Sequence, residues 1–301
     1  MRKCVLLVGL LASACTIQDV EVAEPVDMVV AEIMLRAGDA RQTAVLHRTV
    51  TGAVDSANAV LGARVEVTSA GGQAVVFTQA ADSICIVPRQ DSRGLIRGTC
   101  YATPVAPRYN VLAGETYSLR ITLPDGGVMT GSTKVPADFR MLRPTATTCS
   151  VPIDRTFNIE WTASSDAWVY ASGGLFRGLR TALAARGIPL DDEPLRLFGL
   201  SISNRDTSVV FPTEFGLFQR FDEDKTAALA AIQGGLPDNV TADIIIAAAD
   251  RNYVNWERGG NFNPSGAVRI ASIRGAGTGV FGSLVPKAFQ IRVNRPTFPA
   301  C

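Results

Sequence analysis

Histidine is nearly absent from this chain of 301 residues, which contains only His47. Hydrolases with a serine or cysteine nucleophile need an imidazole to carry protons, whereas His47 lies in an alternating strand pattern between Leu46 and Arg48. We therefore predict that His47 is an ordinary strand residue facing solvent. The G-x-S-x-G, H-E-x-x-H and P-loop motifs are also missing, so the standard hydrolase, zinc-protease and nucleotide sites have no anchor here.

An excess of one charge sign is also missing, because 29 basic and 28 acidic residues leave a formal net charge of +1. This balance excludes an electrostatic footprint for nucleic acid. No C-x-x-C pair exists, and we predict no metal site and no cofactor. The acidic clusters 191–193 and 222–224 could offer oxygen ligands to calcium, but neither has EF-hand spacing. We interpret them as helix caps and solvated loops.

The N-terminal residues have the layout of a secretory signal. Two basic residues precede the apolar run 4–11, which is too short to span a bilayer, and Ala12-Ser13-Ala14-Cys15 follows. Small residues before a cysteine are typical of lipoprotein precursors, although Ala12 stands where leucine is commonest. We predict a signal peptide over 1–14, a lipid on Cys15 that anchors the protein to the membrane, and a tether over 15–25. The alternative is a plain secreted protein cut at the same bond.

Cysteine usage fits an oxidising compartment. Once Cys4 leaves with the signal and Cys15 carries lipid, an even number remains: Cys85, Cys100, Cys149 and Cys301. Four cysteines allow three pairings. Cys85 and Cys100 flank a segment with Pro88 and Gly94, suited to a local bridge between neighbouring strands, which would leave Cys149 for Cys301.

Short β-branched runs separated by turn residues predict a β-sandwich domain over 26–140. The predicted strands are 26–35, 43–50, 63–69, 74–79, 117–123 and 128–135. Gly71-Gly72 and Pro124-Asp125-Gly126-Gly127 indicate hairpin turns. Prolines and a polar run between 136 and 152 indicate a domain boundary before a second, β-rich α+β domain over 145–301.

The second half mixes strand and helix patterns. Predicted strands cover 157–161, 168–171, 195–203, 244–246, 268–273 and 289–293. Leu175, Phe176, Leu179 and Leu183 recur at helical spacing, and a second short helix follows the acidic residues 222–224. The glycines 275, 277, 279 and 282 indicate tight turns or a close backbone approach between strands.

Several motifs carry a resemblance to a known family. They are the Cys15 site, the strand 26–35, the strand 61–67 with its Gly71-Gly72 turn, and the segments 113–119, 261–264, 272–275 and 279–283. Together they resemble the envelope lipoproteins called domain of unknown function 4249, whose genes often lie beside those of outer-membrane TonB-dependent receptors. The resemblance implies an immunoglobulin-like or carboxypeptidase-regulatory-like N-terminal sandwich, a second β-rich domain and exposure in the periplasm or at the surface. It implies no catalytic residue.

The segment 251–262 is the richest in aromatic, asparagine and arginine side chains. Such residues dominate binding hot spots and sugar platforms, and the candidate ligand-binding set is Tyr253, Trp256, Arg258, Asn261 and Phe262. The alternative is an amphipathic helix with Tyr253 and Trp256, three residues apart, packed inward.

These observations predict an anchored binding or accessory module rather than an enzyme. We expect it in the bacterial cell envelope, at the outer membrane because Thr16 rather than aspartate follows Cys15, with an outer-membrane receptor or an extracellular ligand as its partner. A structural envelope protein or adhesin is one alternative. A carbohydrate-active hydrolase with dispersed carboxylates is another, because such a pair leaves no local sequence trace.

Overall fold

The computed structural model describes residues 27–49, 59–85, 98–191, 193–215, 223–261 and 269–301. The predicted signal peptide and tether with Cys15 lie outside these residues and stay predictions. The described strands are β1 (Val29–Arg36), β2 (Thr43–Arg48), β3 (Arg64–Ser69), β4 (Ala74–Gln79), β5 (Thr99–Ala102), β6 (Thr116–Thr122), β7 (Val128–Lys134), β8 (Met141–Arg143), β9 (Thr148–Val151), β10 (Phe157–Trp161), β11 (Val169–Arg177), β12 (Leu195–Leu200), β13 (Ser208–Phe211), β14 (Thr241–Ala249), β15 (Ile273–Gly275) and β16 (Gly277–Val293). The described helices are α1 (Asp82–Cys85), α2 (Leu179–Ala184), α3 (Glu223–Ile232) and α4 (Arg251–Asn261).

The first half is a β-sandwich, and the chain is mainly β as predicted. One sheet has the order β16-β1-β2-β5, the other has the order β4-β3-β6-β7-β15, and β4 pairs with strands of both. Alternation along the strands puts apolar side chains on the inner faces, among them Ile33, Leu46, Val65, Leu119 and Ile121. The predicted immunoglobulin-like layout follows from this pattern.

Both predicted hairpins of the first half are confirmed. Gly71-Gly72 joins the antiparallel strands β3 and β4, and the 124–127 turn joins β6 and β7, where the Leu123 amide donates to the Gly127 carbonyl at 2.8 Å. Strand β5 was not predicted, because its four residues are too few to display a period.

Strand β16 is shared by both halves of the molecule. It pairs in parallel with β1 as far as Leu284 and then antiparallel with β14 from Leu284 onward. Gly279 has φ 135°, and a Cβ there would lie 2.0 Å from the Ala31 carbonyl oxygen, so only glycine permits this approach. The expected close approach is therefore confirmed, but the expected tight turns are wrong for Gly277, Gly279 and Gly282, which lie within the strand. The division into 26–140 and 145–301 stays a prediction.

The second half places a mixed sheet of order β12-β11-β14-β16-β9 opposite the small sheet β13-β10-β8. Large buried side chains fill the space between them, including Tyr170, Phe176, Phe211, Ile244 and Ile291. Helix α4 packs on the outer face of the larger sheet through Tyr253 and Val254. This face thus carries a second, smaller apolar cluster.

The helix predicted from Leu175 is partly wrong. Leu175 and Phe176 belong to β11, and α2 begins only at Leu179. Gly178, with φ 85°, separates strand from helix, because its left-handed conformation ends the strand. The second predicted helix is confirmed as α3, although Asp222 lies outside the described residues.

Two disulfides are present, Cys85–Cys100 and Cys149–Cys301. The first joins α1 to β5 rather than two neighbouring strands as expected. The second joins Cys149 of β9 to Cys301, across a sequence separation of 152 residues. Cys301 directly follows Ala300, which forms a β-bridge with Ser150. The predicted pairing is confirmed, and the second bridge closes the latter half into one covalent loop.

Candidate functional site

Asp250 lies at the junction of the two halves, directly after β14 and directly before α4. Its amide donates to the Ser283 carbonyl at 3.1 Å, next to the point where β16 exchanges β1 for β14. Its carboxylate Oδ1 accepts from the Tyr253 amide at 2.9 Å, which is the bond of a helix N-cap. Asp250 therefore determines where α4 starts on the sheet.

The Asp250 carboxylate is buried and satisfied from three elements. Oδ1 also accepts from the Ser283 amide at 3.1 Å, and Oδ2 accepts from the Thr133 hydroxyl of β7 at 2.6 Å. Burial raises the pKa of the Asp250 carboxyl above its ordinary value, and these hydrogen bonds only partly oppose the rise. A network of this kind fixes the positions of its members because leaving any of them unpaired is costly.

The neighbouring residue Asn252 fixes the first turn of α4 from outside the network. Its side-chain Nδ2 donates to the Ser132 carbonyl at 2.8 Å and to the Phe281 carbonyl at 2.9 Å. Hydrogen bonds thus hold the start of the helix to β7 and β16, in addition to its apolar contacts. The backbone at Arg251, the first residue of the helix, is consequently held in place.

The sequence-predicted binding residues do not form one exposed surface. Tyr253 and Trp256 are buried on the sheet side of α4, which corresponds to the alternative of a packed amphipathic helix. Arg258 is exposed on the same helix, and Asn261 is its last residue. Phe262 lies outside the described residues, so its predicted role has no structural counterpart here.

The exposed aromatic of this region is Trp168, at the start of β11. Its side chain is 48% exposed, its amide donates to the Ala249 carbonyl at 2.8 Å, and the Arg251 guanidinium lies 5.2 Å from the centroid of its ring. Ile202, also highly exposed, lies at the same end of the β11–β12 pair, because Ser201 is bonded to Tyr170 at 2.8 Å. We call Trp168, Arg251 and Ile202 the Trp168–Arg251 surface.

An ion pair lies close to this surface in sequence, at Asp166, two residues before Trp168. Lys134 of β7 contacts Asp166 at 2.9 Å, and Ser164 beneath it donates from its hydroxyl to the Ala137 carbonyl at 2.5 Å. The loop before Trp168 is thereby attached to the first half. Both halves thus support the surface, whose exposed members are an aromatic ring, a guanidinium and an aliphatic side chain.

Sequence reasoning missed Trp168 and Arg251 as a pair. Trp168 follows small and polar residues at 162–167, which offer a large aromatic ring few apolar neighbours to pack against. The sequence therefore contained a sign that Trp168 is exposed. The proximity of Arg251 was not available, because 83 positions of chain separate the two in sequence and only the β11–β14 pairing brings them together.

The profile of the family described as Domain of unknown function (DUF4249) matches residues 16–167, just over half of the chain. This chain belongs to that family. No curated protein matches it. A solved structure titled "Structures of Clostridium thermocellum CbhA fibronectin(III)-like modules" is similar at 11% identity over 88% of this chain and 94% of that chain, with a TM-score of 0.20, too low to support a conclusion.

The DUF4249 match ends one residue before Trp168. It includes the strands of the first sandwich up to β7, but not β15 and the first half of β16, which complete both of its sheets. The Trp168–Arg251 surface lies entirely beyond the match. Family membership and this surface are therefore independent observations about the DUF4249 chain.

His47 is buried, so the expectation of a solvent-facing histidine is wrong. It lies opposite Val30 on β1 and forms an isolated β-bridge with Ala59. Its Nδ1 lies 3.1 Å from the Arg48 carbonyl, and its Nε2 lies 3.9 Å from Glu32 without a hydrogen-bond partner. A Ser-His-Asp arrangement needs a hydroxyl at that nitrogen, and none is bonded there.

Glu32 belongs to a mixed cluster beneath the second half of α4. The Arg269 guanidinium lies 3.5 Å from the Glu32 carboxylate and 4.6 Å from the centre of the Trp256 ring. The Trp256 indole nitrogen is buried, and no residue that the structure describes accepts a hydrogen bond from it. This DUF4249 chain thus contains a second polar cluster, whose charged side chains are more exposed than the Asp250 carboxylate.

Across the described residues, no three His, Cys, Asp or Glu side chains converge as a metal site would require. In the first acidic cluster, Glu193 accepts from the Gly178 amide and the Asp191 carbonyl accepts from Arg180. Asp192 and Asp222 lie outside the described residues. None of the described helices is long and apolar enough to cross a membrane.

Proposed function

We propose that the protein is a lipid-anchored cell-envelope module that binds a partner, and that this partner is an outer-membrane TonB-dependent receptor. The Trp168–Arg251 surface is the observation that carries the proposal. Tryptophan and arginine are among the residues most enriched in binding hot spots, and here a tryptophan ring that is 48% exposed lies beside the Arg251 guanidinium.

Pre-organisation favours binding through this surface. The Asp250 network and the two Asn252 bonds hold α4 in place, and the Trp168 amide is bonded to β14. A surface already held in its bound conformation loses little side-chain entropy when a partner docks. The neighbouring Ile202 adds apolar area that a partner could cover.

A non-catalytic role agrees with how the buried titratable groups are used. Asp250, the buried carboxylate with a raised pKa, caps a helix and accepts hydrogen bonds from Thr133 and Ser283. A glycosidase places two carboxyl groups about 5–10 Å apart across an open cleft. The carboxylate of Asp250 has its oxygens bonded to its own chain instead.

Export to the envelope is supported by two kinds of residue. Cys15 ends a lipoprotein-type signal, and the two disulfides require an oxidising compartment to persist. The lipid on Cys15 would hold the chain at the membrane where receptor barrels reside. The receptor itself is proposed from the gene neighbourhood that is typical of the family.

The test is affinity purification of the full-length protein from its native envelope, with Cys15 intact, followed by mass spectrometry of co-purified proteins. Chains with Trp168→Ala and Arg251→Ala are compared with Arg258→Ala, which removes another exposed arginine from the same helix. We expect a stoichiometric outer-membrane barrel with the unmodified chain and Arg258→Ala. With Trp168→Ala or Arg251→Ala, the amount of co-purified barrel should fall at least about tenfold.

Two outcomes would contradict the proposal. Recovery of the lipoprotein alone would exclude a stable receptor partner and favour a structural role or an adhesin. Equal recovery of the barrel with all variants would show that the receptor binds elsewhere than the Trp168–Arg251 surface. Mass spectrometry of the N-terminal peptide, measured on the same samples, determines separately whether Cys15 carries lipid.

A further inference from the structure

Exposed apolar side chains gather at the end of the first sandwich where the described chain begins. Leu61 is 58% exposed, and Met28 and Pro124 are exposed beside it. Between them lies a recess of about 170 Å³, lined by Val29, Arg48, Ala59, Val60, Leu61, Leu123, Pro124 and Asp125. We call Met28, Leu61, Pro124 and this recess the tether end.

Strand directions bring these residues together. Val29 opens β1 opposite Arg48, which closes β2, and the Met28 carbonyl accepts from the Thr49 amide at 2.8 Å. The β6–β7 turn reaches the same end, because β6 runs toward Leu123. Leu112 precedes the start of β6 and is 57% exposed at the opposite end, about 23 Å away along the strand.

Charge does not explain this end. Arg48 is paired with Asp27 at 2.7 Å, and Asp125 accepts from the amide of Gly127 in its own turn at 2.9 Å. The Arg48–Asp27 pair is neutral overall and Asp125 keeps a single negative charge in its turn, so a partner would meet a mostly apolar tip with little net charge. Such a tip suits the interface of a bilayer, where apolar side chains enter the headgroup region to a depth of about 5–10 Å.

The position of the predicted anchor selects the occupant. Twelve residues, 15–26, separate the start of the described chain at Asp27 from the lipid on Cys15. They reach about 40 Å when extended and about 20 Å as a flexible coil. The tether end therefore stays within reach of the membrane at an effective concentration of about millimolar, so a weak apolar contact is enough to orient the protein.

We propose that the tether end rests on the membrane, with Leu61 and Met28 inserted among the lipid headgroups. This inference rests on the lipid anchor of the proposed function. This orientation raises the Trp168–Arg251 surface above the bilayer. The Trp168 amide donates to Ala249, which pairs with Leu284 of β16. Leu284 lies about 23 Å along β16 from Gly277, which is at the tether end. A receptor partner would then be met at that height.

The test uses the full-length lipidated protein in phosphatidylcholine vesicles, with benzoylphenylalanine replacing either Leu61 or Leu112. The two positions match in residue type and in exposure, at 58% and 57%. After irradiation, lipid adducts are counted by mass spectrometry. We expect at least about tenfold more adduct at position 61, since a side chain some 23 Å higher lies beyond headgroup depth.

Equal adduct yields at the two positions, or more adduct at 112, would overturn the proposal, as would crosslinking of position 61 to a second copy of the protein instead of lipid. Failure of the anchor itself is recognised separately, by an N-terminal peptide that lacks lipid mass. In that case Cys15 is coupled chemically to a maleimide lipid, and the same comparison of positions 61 and 112 still decides the orientation.

Discussion

Two polar clusters lie under the two parts of α4, and they differ in burial and in the kind of contact that holds them. At the start of the helix, both carboxylate oxygens of Asp250 accept hydrogen bonds, from Thr133, Tyr253 and Ser283. Under its second half, the Trp256 indole nitrogen donates to no acceptor within the described ranges, although Arg269 covers the ring. The bonds of the first cluster join α4, β16 and β7 around one buried carboxylate.

The difference shows which part of the helix carries positional information. Directional bonds from β7 and β16 fix the place of Asp250, because an unmade hydrogen bond to a buried carboxylate is costly. Stacking and apolar contacts around Trp256 tolerate small shifts, since they are not directional. We therefore expect substitutions at the first cluster to cost far more stability than comparable changes at the second.

The largest effect is expected for Asp250→Ala. It removes the helix cap and the acceptor of the Ser283 amide, and leaves the Thr133 hydroxyl with only Ser283 Oγ at 2.8 Å, which should lower the free energy of unfolding by about 3 kcal/mol. Urea unfolding followed by circular dichroism measures it. The control is Asp125→Ala, an exposed turn aspartate, at about 1 kcal/mol or less. A similar cost for both variants would contradict the special role of the junction.

A smaller loss is expected for Thr133→Val. The substitution keeps the shape of the side chain but removes the donor at 2.6 Å from Asp250 Oδ2, at a cost of about 1.5 kcal/mol. Thr130→Val, on an exposed position of the same strand, should be nearly neutral. Combined with Asp250→Ala, the Thr133→Val loss should largely vanish, and simple additivity of the two would disprove the network.

The pH dependence of stability should have opposite signs at two aspartates. Burial raises the folded-state pKa of Asp250, so its contribution is fully present below the ordinary carboxyl pKa and is lost as pH rises through the folded value. For Asp243, burial is outweighed by hydrogen bonds from Arg177 and Gln290, so its pKa is lowered and its contribution is lost as pH falls.

Urea unfolding of the unmodified chain, Asp250→Asn and Asp243→Asn between neutral pH and pH 3 tests this. As pH falls, the unmodified chain should gain stability relative to Asp250→Asn and lose it relative to Asp243→Asn. Slopes of the same sign for both pairs would show that burial does not dominate at Asp250.

The smallest effect is expected for Trp256→Phe. Its indole N–H has no hydrogen-bond partner to lose, and a phenyl ring still offers a face to Arg269, so the cost should stay below about 1 kcal/mol. Tyr170→Phe is the matched control, because its hydroxyl accepts from the Ser164 amide at 2.7 Å. If Trp256→Phe proved the more costly, the two clusters would not differ as described.

Much of the first half could be predicted from local sequence. The Gly71-Gly72 turn and the alternation on both sides of it predict β3 and β4, because a hairpin needs only neighbouring residues. Spacing also favoured the Cys85–Cys100 bridge. The predicted binding residues Tyr253 and Trp256 were correctly placed on one helix, but the side of the helix that is buried depends on a sheet assembled from distant strands.

The sequence by itself determined the mainly β character, the hairpins and the helical period of 251–261, since each depends on contacts within a few residues or on composition. Tertiary structure alone decided that β16 serves both halves, that His47 is buried and that Trp168 meets Arg251. Those outcomes depend on pairings between strands far apart in the chain. The hydrophobic pattern of one strand does not specify which distant strand it pairs with.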